Sequence, residues 1–276
     1  MSGTVFTGWY CDETSPRNYE VHGAEINRGL AFRPLWWQSI SRFVSPSHVV
    51  VVDSASPSPA PDDRYFSGRI DQIRLQVNPG HPQTTKFHYS GWTASVLVGL
   101  EYALVSDLDY FLYVEQDALL FGDGLLDRIE SQLRRHKFVF GAGYGAWPLQ
   151  QSVFAIRKDG YRQFLSRMHK IACRDVELSP ELKFGIASAE SPYLAALLDN
   201  FANVPVKTLR TKLVRRTLKA LGEFAVLGFG YGRTRPINFN DDCFYFQQGT
   251  TAELNAYAAR LGISLSALGM KDSDET

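Results

Sequence analysis

The stretch that decides the fold is Gly99–Gly124, GLEYALVSDLDYFLYVEQDALLFGDG. Its centre, Tyr110–Val114 (YFLYV), is a short unbroken apolar run, as expected of a strand buried on both faces of a parallel sheet. The segment before it reads as a helix, because from about Gly91 to Ser106 the apolar Trp92, Val96, Leu97, Leu100, Ala103 and Leu104 recur at helical spacing. The segment after it turns polar at once, with Glu115-Gln116-Asp117. Helix, buried strand and acidic strand end make up one unit of a βαβ grammar.

Outward toward the N-terminus the grammar recurs. His48–Asp53 (HVVVVD) is a second continuous β-branched run that ends in an acid, and Thr4–Trp9 (TVFTGW) reads as the first strand. Between them Pro34–Val44 carries Trp36, Trp37, Ile40, Phe43 and Val44 at helical spacing, Pro34 being tolerated in a first helical turn. Ser54–Asp63 (SASPSPAPDD) reads as an exposed loop, and Ile73–Val77 as a weaker strand. Strands alternating with helices predict an α/β protein with a Rossmann-like, mostly parallel sheet flanked by helices.

Toward the C-terminus the pattern is less regular. Val153–Ile156 reads as a strand, Asp159–Met168 as a short helix, Phe244–Phe246 as a late strand and Ala252–Leu261 as a terminal helix. Glu190-Ser191-Pro192 introduces another helix, Tyr193–Leu198, with Ser191 as N-cap and Pro192 at the first helical position. One domain over residues 1–276 is expected, with a front half to about residue 125 and a back half from about 126.

The composition, 45% hydrophobic and 21% charged over 276 residues, excludes a low-complexity or disordered chain. Lys and Arg total 29 against 29 for Asp and Glu, so net charge points to no partner and gives no support for nucleic acid. The three cysteines form no CxxC pair, and no run approaches the roughly 18 apolar residues of a membrane span, so a cytoplasmic protein, soluble or peripheral at the membrane's inner face, is expected. The charge balance hides one local excess: Lys207–Lys219 (KTLRTKLVRRTLK) holds six basic residues and no acid, with leucines interleaved. Such a basic amphipathic helix suits an anionic membrane surface or a phosphate, or is simply a solvated helix face.

Ligands of open α/β sheets bind outside the carboxyl ends of the strands, which is where Asp53 and Glu115-Gln116-Asp117 fall. Residues two apart in an extended segment share a side, so Glu115 and Asp117 would face one site across Gln116. Two such carboxylates need a compensating cation, arginine or proton. No GxGxxG, GxxxxGK[ST] or GxSxG pattern is present, and the six histidines show no HxxxH spacing.

With these residues the chain resembles glycosyltransferases of the GT-A fold, in which a helix leads to an apolar strand ending in a DxD-type motif. The resemblance covers the order of elements from Thr4 to Leu198 and places Glu115-Gln116-Asp117 in the DxD position. It implies that Glu115 and Asp117 hold a divalent metal, Mn²⁺ or Mg²⁺, beside the diphosphate of a nucleotide sugar. It further implies that Asp53 contacts the base or ribose, that Thr7 and Gly8 line the nucleotide pocket, and that the back half binds the acceptor. Two positions depart from the pattern: Glu115 stands for the first Asp, and the late strand offers Gln247 and Gln248 instead of a metal-binding His. An amide such as that of Gln248 is an acceptable third ligand for Mg²⁺. Gly141, Gly143 and Gly145 would let backbone approach the ligand, and Trp147 would stack on a sugar ring.

The resemblance implies a transferase that moves a sugar from a nucleotide-sugar donor to a glycan or lipid-linked acceptor, with inversion, in bacterial-type surface polysaccharide synthesis. Inverting members place an acid at a helix start as general base, and Glu190 holds that position here, with Asp175, Glu177 and Glu181 as local competitors. Arg233 and Arg235 are candidates for the diphosphate. Simpler readings stand beside these. Asp53 can be a turn residue and Glu190 support for its helix, Glu115–Asp117 a polar strand end before a helix capped by Asp123, and Trp36, Trp37 and Trp147 core. A sugar-phosphate nucleotidyltransferase and a non-catalytic binding protein of the same fold are the alternative functions.

Overall fold

Val49, Val50, Val51 and Val52 are all buried, as the run HVVVVD requires, and they form the strand β2 (His48–Asp53). It pairs in parallel with β1 (Thr4–Trp9) on one side and β3 (Arg69–Arg74) on the other. The computed structural model describes residues 3–13, 23–58, 66–268 and 270, so the latter parts of the loop after β1 and of the loop SASPSPAPDD lie outside the described residues. The remaining strands are β4 (Tyr110–Val114), β5 (Ala118–Phe121), β6 (Phe138–Ala142), β7 (Leu149–Arg157), β8 (Ala225–Val226) and β9 (Phe244–Gln247). The helices are α1 (Arg33–Phe43), α2 (Gly91–Val105), α3 (Leu125–Leu133), α4 (Tyr161–Lys170), α5 (Pro180–Ala187), α6 (Pro192–Ala202), α7 (Lys207–Leu221) and α8 (Thr251–Leu261).

Seven strands form one sheet in the order β3-β2-β1-β4-β7-β6-β8, while β5 and β9 pair in a small antiparallel sheet. Only β7 runs against its neighbours, being antiparallel to both β4 and β6. The fold is therefore α/β, with a mostly parallel sheet between two helical layers. One core lies under α1, α3, α8 and the small sheet, and the other under α2 and α4 to α7. The sheet takes strands from both halves of the chain, so the halves share one framework.

Two loop and edge expectations shift. The weaker strand is Arg69–Arg74, not Ile73–Val77, because its register follows β2 from His48↔Arg69 to Asp53↔Arg74 and ends where β2 ends. This edge strand protects itself with charge, Arg69 pairing with Asp71 at 2.8 Å. The loop after β2 is not simply exposed, since Ser54 and Ser56 are buried.

Candidate functional site

The chain leaves β1 toward β2 and β3 on one side and later returns to place β4 on the other side of β1. That reversal opens a crevice at the carboxyl ends of β1 and β4. A cleft of about 820 Å³ lies there, lined by Gly8, Trp9 and Tyr10 after β1 and by Glu115, Gln116 and Asp117 after β4. The backbone must pass closely here: a Cβ on Gly8 would lie 2.4 Å from Ser95 Oγ and 2.8 Å from the Tyr113 hydroxyl.

Glu115 and Asp117 do meet, though not by strand alternation. β4 stops at Val114, and a tight turn in which the Ala118 N–H donates to the Glu115 carbonyl at 3.0 Å brings the two carboxylates together. The Gln247 amide bridges them, donating to Glu115 Oε2 at 2.6 Å and Asp117 Oδ1 at 3.1 Å. Arg28 lies 3.8 Å from Asp117 Oδ2. Gln116 turns the other way and locks the two loops, accepting from the Tyr10 N–H at 2.8 Å and donating to the Tyr10 carbonyl at 3.1 Å. Trp36 braces the turn from below, its indole N–H donating to the Glu115 carbonyl at 3.0 Å. Burial, then the neighbouring Asp117 carboxylate, pushes the Glu115 carboxyl up to about 8, against the pull of Arg233 and Arg28.

This donor set fits a hard divalent cation in part. Two carboxylates converge on one point, which the Gln247 amide nitrogen occupies and a cation would take from it, and the Gln248 Oε1, an amide oxygen at the cleft wall, is buried without a hydrogen-bond partner. Among the described residues no group of three or more His, Cys, Asp or Glu side chains forms a metal cage. A cation held by Glu115, Asp117 and Gln248 would therefore need oxygens from a bound ligand to fill its shell, as Mg²⁺ does with phosphates.

The rest of the lining is cationic and hydrogen-bonding. The Arg233 guanidinium faces Glu115, Glu181, Tyr144 and Asp117. His81 is held neutral, its imidazole lowered to about 4 by burial, Arg233 and Arg28. Besides Gln248 Oε1, five more buried polar atoms lining the cleft lack a hydrogen-bond partner: Trp92 Nε1, Gln150 Nε2, Gln151 Nε2, Ser152 Oγ and Ser179 Oγ. Gln150 is held firmly, its Oε1 accepting from the Arg233 N–H at 3.1 Å. Buried polar groups without partners are expensive in a finished core, and six of them around one cleft mark a surface built for a polar ligand.

No protein-family model matches this chain, and no curated protein matches its sequence.

The remaining expected residues divide. Trp147 lines the cleft, half-buried. Thr7 does not: it is buried within β1, and its hydroxyl donates to the Gly8 carbonyl at 3.3 Å. Asp53 is also buried outside the cleft lining, accepting from the Ser56 N–H at 2.9 Å and pairing with Arg74 at 3.1 Å. It stabilises the turn after β2, and its neighbour Ser54 reaches the cleft instead. Arg235 pairs with Glu253 and caps the carbonyls of Gln247 and Gln248.

Glu190 lies away from the cleft. Its carboxylate pairs with Lys137 at 2.8 Å, just before β6 begins and thus at the amino ends of the strands. The acid that takes the expected position is Glu181, in the first turn of α5 and on the cleft wall. Ser179-Pro180-Glu181 opens α5 at the cleft, and the helix then carries the chain about 12 Å onward before Glu190 is reached. Asp175 and Glu177 line the same wall. Asp175 is committed to the framework, its carboxylate accepting from Lys183 at 2.7 Å, Thr93 Oγ1 at 2.6 Å and the Ser90 N–H at 2.7 Å. Glu177 is occupied by Arg174. That leaves Glu181.

Proposed function

We propose that this cleft transfers a sugar from a nucleotide-sugar donor to a hydroxyl of a glycan or lipid-linked glycan, as a GT-A-like glycosyltransferase acting with inversion. The observation that carries the reading is the paired carboxylates Glu115 and Asp117 at the β1/β4 switch point, with Arg233 and Glu181 lining the same cleft. The nucleoside diphosphate lies along the β1 and β4 loops, its base side toward Ser54 and Gly8. A divalent cation held by Glu115, Asp117 and Gln248 would neutralise charge on the leaving diphosphate. Arg233, on the same cleft lining, meets the same charge.

The sugar sits against Trp92, Gln150, Gln151, Ser152 and Ser179, whose unpartnered donors and hydroxyls match a ring of hydroxyl groups. As the anomeric carbon–diphosphate oxygen bond breaks, the acceptor oxygen bonds to that carbon. Glu181 takes the acceptor's proton. It lies in the first turn of α5, on the cleft wall.

The test is calorimetric binding of UDP, GDP, dTDP and CMP with and without Mg²⁺ or Mn²⁺. One of these is expected to bind in a cation-strengthened manner, with Asp117→Asn weakening it at least tenfold. Slow donor hydrolysis without acceptor separates turnover from binding alone. If no nucleotide binds, or if Asp117→Asn leaves binding and turnover intact, the reading fails.

A further inference from the structure

α6 and α7 form a helical hairpin joined by residues 203–206, and exposed apolar side chains gather on it. Of the nine large hydrophobic side chains exposed among the described residues, five belong to this hairpin: Tyr193, Leu197, Val206, Leu209 and Leu221. Tyr193 is 89% exposed, and it lines a shallow pocket of about 330 Å³ with Leu197 and Leu221. The helices are long enough to pack, and each does so by another face. α6 buries Leu194, Ala195, Leu198 and Ala202, and α7 buries Arg210, Val214 and Leu218. Helical spacing then turns Leu209, Lys212 and Arg216 outward together.

The charge on this surface is one-sided. α7 holds no acid, and among the described residues Lys212, Arg215 and Arg216 take part in no salt bridge or side-chain hydrogen bond. Two acids of the neighbourhood are engaged: Glu190 pairs with Lys137, and the Glu223 carboxylate, which lines the same shallow pocket as Tyr193, accepts from the Ser191 N–H at 2.6 Å. Asp199 of α6 is exposed.

We propose that the α6–α7 hairpin docks this protein on an anionic lipid bilayer. Tyr193, Leu197, Leu209 and Leu221 enter the region below the headgroups, while Lys212, Arg215 and Arg216 reach the anionic phosphates. Both chemistries are needed to explain the surface. A nucleic-acid backbone would use the bases and leave the leucines and Tyr193 in water. A second copy meeting this face about a two-fold axis would set three unpaired bases against three more. Lys207 and Thr211 in the first turns of α7 line the cleft from the other side of that helix, away from Leu209 and Arg216.

The test is co-sedimentation of the full chain with phosphatidylcholine vesicles, with and without phosphatidylglycerol, over a range of salt. Binding is expected only to the anionic vesicles and is expected to weaken as salt rises. Lys212→Glu with Arg216→Glu should lower vesicle affinity more than tenfold, each lost base accounting for about fivefold. Tyr193→Ser with Leu221→Ser should weaken binding while keeping its salt dependence. Circular dichroism and nucleotide binding report whether each variant is folded and its cleft intact. Equal binding by wild type and the charge-reversed variant, or no binding to anionic vesicles, overturns the proposal. So does a wild-type dimer in light scattering that Tyr193→Ser abolishes, which would assign the face to a second copy. None of these outcomes depends on whether the cleft turns over a nucleotide sugar.

Discussion

Glu181 and Glu190 stand next to the same Ser-Pro helix opening, in SPE and ESP order, and only the fold distinguishes them. Glu181 follows the proline inside the first turn of α5 at the cleft, whereas Glu190 precedes the N-cap of α6 and meets Lys137. Replacing Glu181 by Gln should therefore lower the transfer rate by about 10²–10⁴ with nucleotide affinity unchanged. Glu190→Gln should leave the rate within about twofold, and steady-state kinetics of the two variants decide between them. Glu115 offers a second measurement. Its carboxyl is raised from 4.5 to about 8 by burial and by Asp117, so between those values the folded protein holds a proton that the unfolded chain has released. The Glu115 contribution to stability without ligand must then fall as pH rises through that window, because the state binding more protons is favoured at low pH, while below about 6.5 the lowered His81 imidazole acts in the opposite sense. Urea denaturation from pH 6.5 to 9 should show this decline, and Glu115→Gln should flatten it, with its largest stabilising effect at the alkaline end.

At the level of elements, β1, β2 and β4 lie where their apolar runs place them, since a strand covered on both faces must be apolar throughout. Other elements give a weaker signal. β6 is short, and its register against β7 shifts between Val139 and Gly141. α5 is buried along most of its length, Lys183 included, and so shows no amphipathic period. The reversed direction of β7 is a matter of topology, and it decides half of the candidate site. Because β7 runs against β4, its first residues, not its last, reach the cleft, which brings Gln150, Gln151 and Ser152 beside Glu115. The pair of acids after β4 was legible because strand ends collect ligands, while the amide that bridges them, Gln247, depended on how β9 pairs with β5. The seat of Gln150 can be tested through Gly232, whose φ is +53° and whose added Cβ would lie 1.4 Å from Gln150 Oε1. Gly232→Ala should cost about 1 kcal/mol or more in stability, from the left-handed backbone. It should also remove the extra affinity of a nucleotide sugar over its nucleoside diphosphate, which calorimetry with both ligands measures.

For the molecule as a whole, the balance of 29 basic against 29 acidic residues is a sum over unlike surfaces. Acids gather in the cleft at Glu115, Asp117, Glu177 and Glu181, and bases lie along α7. Yet the cleft is not a feature of one half: its lining comes from the ends of β1 and β4, from β7, from the start of α5 and from the start of α7. A ligand seated there touches both halves of a single sheet, so it is linked to unfolding of the whole framework. At a hundredfold excess over its dissociation constant a ligand stabilises the folded state by about 2.7 kcal/mol. For a chain of this size that amounts to a rise of roughly 5 °C or more in the unfolding midpoint. Differential scanning calorimetry with nucleoside diphosphate and Mg²⁺ should show one transition that moves as a unit. Asp117→Asn should lose most of the shift, and Lys212→Glu with Arg216→Glu should keep it, since those bases lie outside the cleft. Two transitions of which only one responds would mean that the front and back halves unfold separately, and that the cleft belongs to one of them alone.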